Sequence, residues 1–273
     1  MLASFYEPAG GTSDAETFVA TSATAGPWYP DAQHGGPPAA LAARALERHE
    51  PSDSMRLARV TVDILRPVPV GSLTLRTRTV RRGKRVAFLE TVMTAGDQEV
   101  LIAQGWRIAT LADGPVVAHE GNGSAGRTAI ATSPPPMPAE SRLPVFPGGH
   151  LEGYISQIEW RFVSGRFEEP GPCQVWARPL LPLLPDEKLS PMCRTLLLAD
   201  SGSGVSMALD PMAFIFINVD LTVILQRDPV GEWLLLDAVT TMGGSGTGLA
   251  ETRFSDNAGV VGSGIQTLLV SPR

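Results

Sequence analysis

Two hydrophobic patterns alternate along this chain of 273 residues. Short segments in which apolar and polar residues take turns, such as Gln157–Val163, are typical of half-buried strands. Two segments are instead apolar on almost every side, Pro37–His49 and Pro191–Ala199, as buried helices are. Each begins with proline, which favours a helix start, and Ser190 is the predicted N-cap of the second. The chain therefore predicts strands, one helix and further strands, twice over.

Short sequence matches accompany this repeated order, and an internal repeat decides the fold. Each copy is too long to be a solenoid unit, so we expect two fused copies of one α+β domain, each with an antiparallel sheet wrapped round its helix. The matched positions are Asp63 and Asp220, Val70-Gly71 and Val230-Gly231, Glu90 and Glu251, Thr91 and Thr252, and Gln104 and Gln266.

A segment rich in proline and glycine separates the two copies. Proline and glycine at this density favour extended chain without a packed core. The predicted boundaries are residues 1–112 for an N-terminal domain, 113–148 for a linker and 149–273 for a C-terminal domain. Both domains have the usual domain size of about 100–150 residues.

Charge and cysteine content narrow the function classes. The net charge is −6 and no long Lys/Arg run occurs, which argues against a nucleic-acid partner. The basic stretch Arg76–Arg85 leaves two interpretations open, a solvated hairpin or a surface for an anionic cofactor such as a phosphorylated nucleotide. Cys173 and Cys193 lack the spacing of a metal site or a disulfide framework, so a reducing, cytoplasmic setting is expected. We find no secretion signal and no apolar run long enough to span a bilayer.

Three local motifs carry a resemblance to a known family. His34, Gly35 and Gly36 open the first helix, Leu198–Ser201 end the second, and Asn218 and Gln266 lie in later strands. In these motifs the chain resembles the double hot-dog acyl-CoA thioesterases of the thioesterase II type. The resemblance implies an α+β fold of two antiparallel sheets, each wrapped round a central helix, joined side by side.

The resemblance also implies a site. In that family an Asp, a Thr or Ser and a Gln hold the attacking water, and the matching residues here are Asp200, Asn218 and Gln266, with Asn218 a departure from the family pattern. In single-domain relatives the Asp follows the His of H-G-G by nine residues. Nine residues beyond His34 lies Ala43, and nine before Asp200 lies Pro191. We therefore predict one composite site, with the H-G-G loop from the first copy and the acid from the second. The other location, near Ala43 and Pro191, is predicted to be apolar or filled by side chains, with no carboxylate facing the Pro191 turn.

The chemistry of thioester hydrolysis suits these residues. Asp200 can act as general base toward water. Backbone N–H groups at a helix start can stabilise an oxyanion. Because Pro37 and Pro38 have no N–H, the candidate donors are Gly35, Gly36 and Ala39. The CoA phosphates are expected near Arg66 or Arg227.

The sequence thus predicts an acyl-CoA thioesterase of lipid metabolism that needs no cofactor or metal, takes acyl-CoA as its partner, and can form a homo-oligomer. A non-catalytic double hot-dog protein that binds an acyl thioester or lipid remains the alternative, and an enoyl-CoA hydratase is a third. Two plainer interpretations also stay open at this stage. Asp200 could simply end a helix, and Gln104 and Gln266 could both be structural features of the repeated strand.

Overall fold

The computed structural model describes residues 3–12, 15–111, 133–142, 145, 149 and 151–273. Much of the predicted linker, 113–132 and parts of 143–148, lies outside the described residues. The helices are α1 (Gly36–Arg48), α2 (Pro191–Ala199) and α3 (Gly202–Val205). The strands are β1 (Tyr6–Thr12), β2 (Ala15–Ala20), β3 (Met55–Ile64), β4 (Ser72–Arg81), β5 (Val86–Ala95), β6 (Gln98–Ala109), β7 (Ile158–Arg166), β8 (Glu169–Pro179), β9 (Phe214–Asn218), β10 (Asp220–Leu225), β11 (Leu234–Met242), β12 (Thr247–Asp256) and β13 (Gly259–Pro272).

The strands of the described residues form one large antiparallel sheet. Its order is β1-β2-β4-β5-β6-β3-β10-β13-β12-β11-β8-β7, with β9 paired to β13. Outward from the β3–β10 junction, the order is β3-β6-β5-β4-β2-β1 on one side and β10-β13-β12-β11-β8-β7 on the other. Each strand of one half therefore has a counterpart at the same place in the other half. The antiparallel sheet and its continuity between the halves agree with the sequence prediction.

One row of residues crosses the sheet symmetrically. At its centre the hydroxyls of two threonines, one from each half, lie 3.0 Å apart. A glutamate occupies each end of the row, as the repeat predicts for Glu90 and Glu251. The row runs Glu90, Gln104, Thr61, Thr222, Ile265, Glu251.

Two of the matched pairs were wrong. Gln104 pairs with Glu90, and Ile265 pairs with Glu251, which is the counterpart of Glu90 in the other half. The counterpart of Gln104 is therefore Ile265. Gln104 is half-buried and bonds Glu90 (2.9 Å), whereas Gln266 is buried on the core side of its strand. Asp63 lies directly opposite Asp220 across the junction and is not its counterpart. A Val-Asp pair that occurs in both halves had suggested the alignment of Asp63 with Asp220. Gln266 is therefore not a conserved feature of the repeated strand.

Both helices are buried, as their apolar sequences predict. α1 contacts β3, β4, β5 and β6, α2 contacts β8 and β10, and the two helices pack against each other. Ser190 is confirmed as the N-cap of α2, with its hydroxyl accepting from the Cys193 N–H (3.1 Å). The Arg107 guanidinium caps α1, donating to the carbonyls of His49 (2.8 Å) and Glu50 (2.7 Å). Among the described residues no helix is long and apolar enough to cross a membrane.

Candidate active site

A pocket of about 110 Å³ lies where the start of α1 meets the end of α2. Both halves of the chain contribute to it. Its lining residues fall by type into a polar set, which carries the predicted site residues and is called the polar end, and an apolar set, called the apolar end. The polar end is lined by His34, Gly35, Asp200, Ser201, Ser203 and Asn218, and the apolar end by Pro27, Trp28, Ile155, Phe167, Phe216 and neighbouring backbone.

Asp200 is the C-cap of α2, and its side chain is buried. The Asn218 Nδ2 atom donates to its Oδ1 (2.8 Å), and the Gln266 Nε2 atom lies 3.4 Å from the same oxygen. The structure therefore brings Asp200, Asn218 and Gln266 together, in direct contact rather than across a bridging water. A carboxylate at the C-terminal end of a helix is unfavourable for the helix dipole, so helix stability does not explain Asp200.

The start of α1 faces this carboxylate. A Cβ atom on Gly35 would lie 2.8 Å from both carboxylate oxygens of Asp200, and one on Gly36 would lie 2.1 Å from the Leu197 carbonyl oxygen. Only glycine permits such approaches. The two glycines thus let α1 pack closely onto α2 and place the positive end of its dipole at Asp200. The sequence predicts these glycines only as candidate oxyanion donors.

His34 orders this loop. Its Nδ1 atom accepts from the Gly36 N–H (3.1 Å) and lies 3.1 Å from Asp200 Oδ2. One ring nitrogen cannot accept from Gly36 and donate to Asp200 at once, so the two contacts are alternatives set by the position of one proton. Burial lowers the pKa of the His34 imidazole, although the Asp200 carboxylate opposes part of that shift. The neutral ring, which can accept from Gly36, is therefore favoured at neutral pH.

This geometry lowers the number of backbone N–H groups that are free to bind an oxyanion. The Gly36 N–H bonds His34, and the Ala39 N–H closes the first turn of α1 on the Gly35 carbonyl (3.1 Å). Of the three predicted donors, Gly35 alone keeps an N–H with no partner among the described residues, and it lines the pocket.

Gln266 has a second contact that sequence reasoning missed. Its Oε1 atom accepts from the Ser203 N–H at the start of α3 (3.0 Å), while its Nε2 atom donates to the Asp200 carbonyl (3.2 Å). The side chain therefore bridges the break between α2 and α3, and so holds Asp200 at a fixed place.

The structure speaks against Arg227 as part of the predicted basic rim. Asp256 binds Arg227 through both carboxylate oxygens (2.6 Å each), so Arg227 is not free for a phosphate. Arg66 is exposed. Within the Arg76–Arg85 stretch, Arg78 and Arg82 pair with glutamates, which favours the hairpin interpretation for those two side chains.

The pseudo-equivalent location does carry a carboxylate, so the prediction that none faces the Pro191 turn was wrong. Glu47 of α1 accepts from the Cys193 thiol (3.5 Å) and, together with Pro191, lines a pocket of about 220 Å³. Burial raises the pKa of the Glu47 carboxyl, although hydrogen bonds from Ser190 and Cys193 oppose the shift. Ala43 itself is fully buried.

Sequence reasoning also missed Tyr154 and the aromatic residues that line the pocket. The Tyr154 ring stacks on the His34 ring at 3.8 Å, and its hydroxyl bonds the Leu197 carbonyl (2.8 Å) and the Ser201 hydroxyl (2.9 Å). These residues lie far apart in the chain and belong to no motif, so no sequence signal marked them. Among the described residues no group of three or more His, Cys, Asp or Glu side chains could hold a metal ion.

Comparisons with known structures identify the fold. A protein of unknown function with hot dog fold from Alicyclobacillus acidocaldarius is 15% identical, with 96% of this chain and 95% of that chain covered and a TM-score of 0.72. Acyl-CoA thioesterase II from Mycobacterium marinum is 15% identical over 97% and 95% of the two chains, with a TM-score of 0.67. The tesB protein of Mycobacterium avium subspecies paratuberculosis is 13% identical over 97% and 96%, with a TM-score of 0.67. The chain therefore has the hot-dog fold.

Family comparisons go further than the fold. A family model described as the acyl-CoA thioesterase C-terminal domain matches residues 131–270, more than half of the chain. A second, described as the acyl-CoA thioesterase N-terminal domain, matches residues 24–108. No curated protein sequence matches the chain significantly. On these matches the chain belongs to the acyl-CoA thioesterase family, and it is a thioester hydrolase.

Proposed function

We propose that this protein hydrolyses an acyl-CoA thioester to the free acid and CoA at one composite site, with Asp200 as the general base. In this proposal the chain is a double hot-dog with an N-terminal domain over residues 1–112, a linker over 113–148 and a C-terminal domain over 149–273. Its H-G-G loop, His34–Gly36, comes from the first domain, and Asp200, Asn218 and Gln266 come from the second.

The reaction needs one proton acceptor and one oxyanion donor. Asp200 takes a proton from water as the water oxygen attacks the thioester carbon. The Gly35 N–H, at the positive end of α1, stabilises the negative carbonyl oxygen of the tetrahedral intermediate. The carbon–sulfur bond then breaks, and the proton held by Asp200 passes to the CoA thiolate.

The remaining residues position these groups. Asn218 and Gln266 orient the carboxylate through its Oδ1 atom, which leaves Oδ2 on the side of the His34–Gly36 loop. His34 keeps the Gly36 amide in place and so fixes the backbone around Gly35.

One observation supports this proposal above the others. A buried carboxylate lies against the glycine N-cap of α1 in a pocket that opens between the halves, with two amide side chains on one of its oxygens. A pocket with a few convergent polar groups is the default place to seek a reaction, and the family supplies the thioester.

The test is release of free thiol from a panel of acyl-CoAs by the Asp200→Asn variant. An amide cannot accept the proton but keeps the shape of the side chain and its bond from Asn218. We expect kcat to fall by about 10²-fold or more, the usual range for a general base, with an unchanged circular dichroism spectrum. Asp97→Asn, in the exposed turn between β5 and β6, is the matched control and should keep full activity.

Full activity in Asp200→Asn would exclude Asp200 as the base. A wild-type protein that binds acyl-CoA saturably but releases no thiol would support the binding alternative. The direct contacts on both carboxylate oxygens are the observation that favours the binding alternative, since they leave less room for a water.

A further inference from the structure

We infer that the acyl group accepted at this site is short and compact, of about four carbons or fewer. The inference rests on the proposed function, because it assigns the apolar end of the same pocket to the acyl group. It is carried by the size of the pocket and by the rigidity of its walls.

The pocket is small for a lipid chain. Its volume is about 110 Å³, and this includes the polar end at His34 and Asp200 where the thioester must lie. A dry cavity of about 150 Å³ holds one benzene, six carbons. By proportion the whole pocket holds about four carbons, so a longer chain would have to displace a wall or leave its end outside the pocket in water.

The walls are aromatic and buttressed from behind. Phe167, at the turn between β7 and β8, is packed edge-on by Trp160 (ring centroids 5.2 Å apart) and by Phe162 (5.7 Å). Trp28 meets Phe216 edge-on at 6.5 Å, and the Arg273 guanidinium lies 5.6 Å above the Trp28 ring. Because each ring is supported by another group, moving one requires repacking of its neighbours.

Gly204 of α3 sets the remaining width opposite Phe167. A Cβ atom there would lie 3.8 Å from the edge of the Phe167 ring, an ordinary contact with nothing else within 4 Å. Alanine is therefore tolerated at this helical position and would occupy pocket space. Phe167 and Gly204 are thus the residues that determine the size limit.

The experiment measures kcat/KM for acetyl-, butyryl-, hexanoyl-, decanoyl- and palmitoyl-CoA by thiol release. We expect the wild type to lose at least about 10-fold between butyryl- and decanoyl-CoA, the scale on which a pocket excludes methylenes. Gly204→Ala should lower butyryl-CoA hydrolysis about 10-fold more than it lowers acetyl-CoA hydrolysis. Phe167→Leu should shift the preference toward hexanoyl- or decanoyl-CoA. Phe88→Leu, a phenylalanine stacked on Trp106 away from the pocket, is the matched control and should leave the profile unchanged.

Equilibrium binding of the same acyl-CoAs to the Asp200→Asn variant measures the size limit without turnover. This measurement separates the size limit from the thioesterase proposal. Hydrolysis or binding of decanoyl-CoA as good as that of butyryl-CoA would overturn the size limit while the thioesterase proposal stands. An absence of hydrolysis by the wild type, with binding confined to short acyl-CoAs, would overturn the thioesterase proposal and support the size limit.

Discussion

At Asp200 the two carboxylate oxygens have different neighbours. Oδ1 receives the amides of Asn218 and Gln266, and Oδ2 lies toward His34. The amide donors stabilise the negative charge and fix the plane of the carboxylate. The oxygen on the loop side then faces the backbone that would hold the thioester, which gives each oxygen a separate task.

Removing the Asn218 amide tests this division. A hydrogen bond to a charged acceptor contributes about 1.5–3 kcal/mol, and about 1.4 kcal/mol is tenfold in rate. We expect Asn218→Ala to lower kcat by about 10-fold, less than Asp200→Asn, because Gln266 still holds the carboxylate. Thiol release measures this. Asn257→Ala, in the exposed turn after β12, is the control, and an equal effect of both changes would contradict the assignment.

Much of this residue-scale geometry could be predicted from motifs, and one part could not. The motifs placed Asp200, Asn218 and Gln266 together because each has a family counterpart. Glu47 was missed because the spacing rule pointed to Ala43. The two positions are one helical turn apart and share a face of α1, so a longer side chain at 47 reaches the start of α2 just as well.

Among the elements, α1 and α2 meet closely at both ends of α1. Gly36 admits the Leu197 carbonyl at the start of α1, and Glu47 contacts Cys193 near its end. The sequence predicted both helices with nearly correct bounds from their prolines and apolar faces. The sequence did not predict how closely the two helices pack, because that depends on which backbone atoms meet. The periodicity of apolar residues does not encode these backbone contacts.

Glu47 makes the stability of this contact dependent on pH. Because burial raises the pKa of the folded carboxyl, the folded state holds the proton more tightly than the unfolded state does. Stability from this group is therefore greatest below the ordinary pKa of glutamate and falls as pH rises through the folded pKa. We expect Glu47→Gln to raise Tm at pH 7 and to give no gain at pH 4.

Thermal melts followed by circular dichroism at the two pH values make this comparison. Glu99→Gln, at an exposed position in β6, is the matched control and should shift Tm at neither pH. A Glu47→Gln gain of equal size at pH 4 would mean that the effect is one of packing and not of charge.

For the whole molecule, a shared sheet, a helix contact and several side-chain bonds join the halves. The sheet is continuous from β3 to β10, α1 packs on α2, and the Arg56 guanidinium bonds the carbonyl oxygens of Leu225 (3.0 Å) and Gln226 (2.7 Å). The hot-dog architecture followed from the repeated order of elements. The exact register could not be predicted from sequence matches, because a two-residue match such as Val-Asp recurs by chance. The register is set instead by which strand residues pair.

Arg44 makes a further connection between the halves, which we expect to be important for stability. It lies on α1, is 8% exposed, and donates to both carboxylate oxygens of Glu187 in the other half (2.7 and 2.9 Å) as well as to Glu16 (3.2 Å). Arg44→Met keeps the length of the side chain but removes these bonds. Because Glu187 and Glu16 are each about a third or more exposed and can be rehydrated, we expect a loss of about 2 kcal/mol, below the range of about 3–5 kcal/mol for a fully buried pair.

For a chain of this size that loss corresponds to a fall in Tm of roughly 4–8 °C. Arg48→Met, one turn further along α1 and only 3.8 Å from the same Glu187, is 60% exposed at the side chain and should change Tm little. Because the sheet runs through both halves, the melt of Arg44→Met should remain a single transition that coincides in tryptophan fluorescence and in thioesterase activity. An unchanged Tm would show that Arg44 does not hold the halves together. Two separate transitions would show that each half folds on its own, and the composite site would then depend on docking of the halves rather than on one shared sheet.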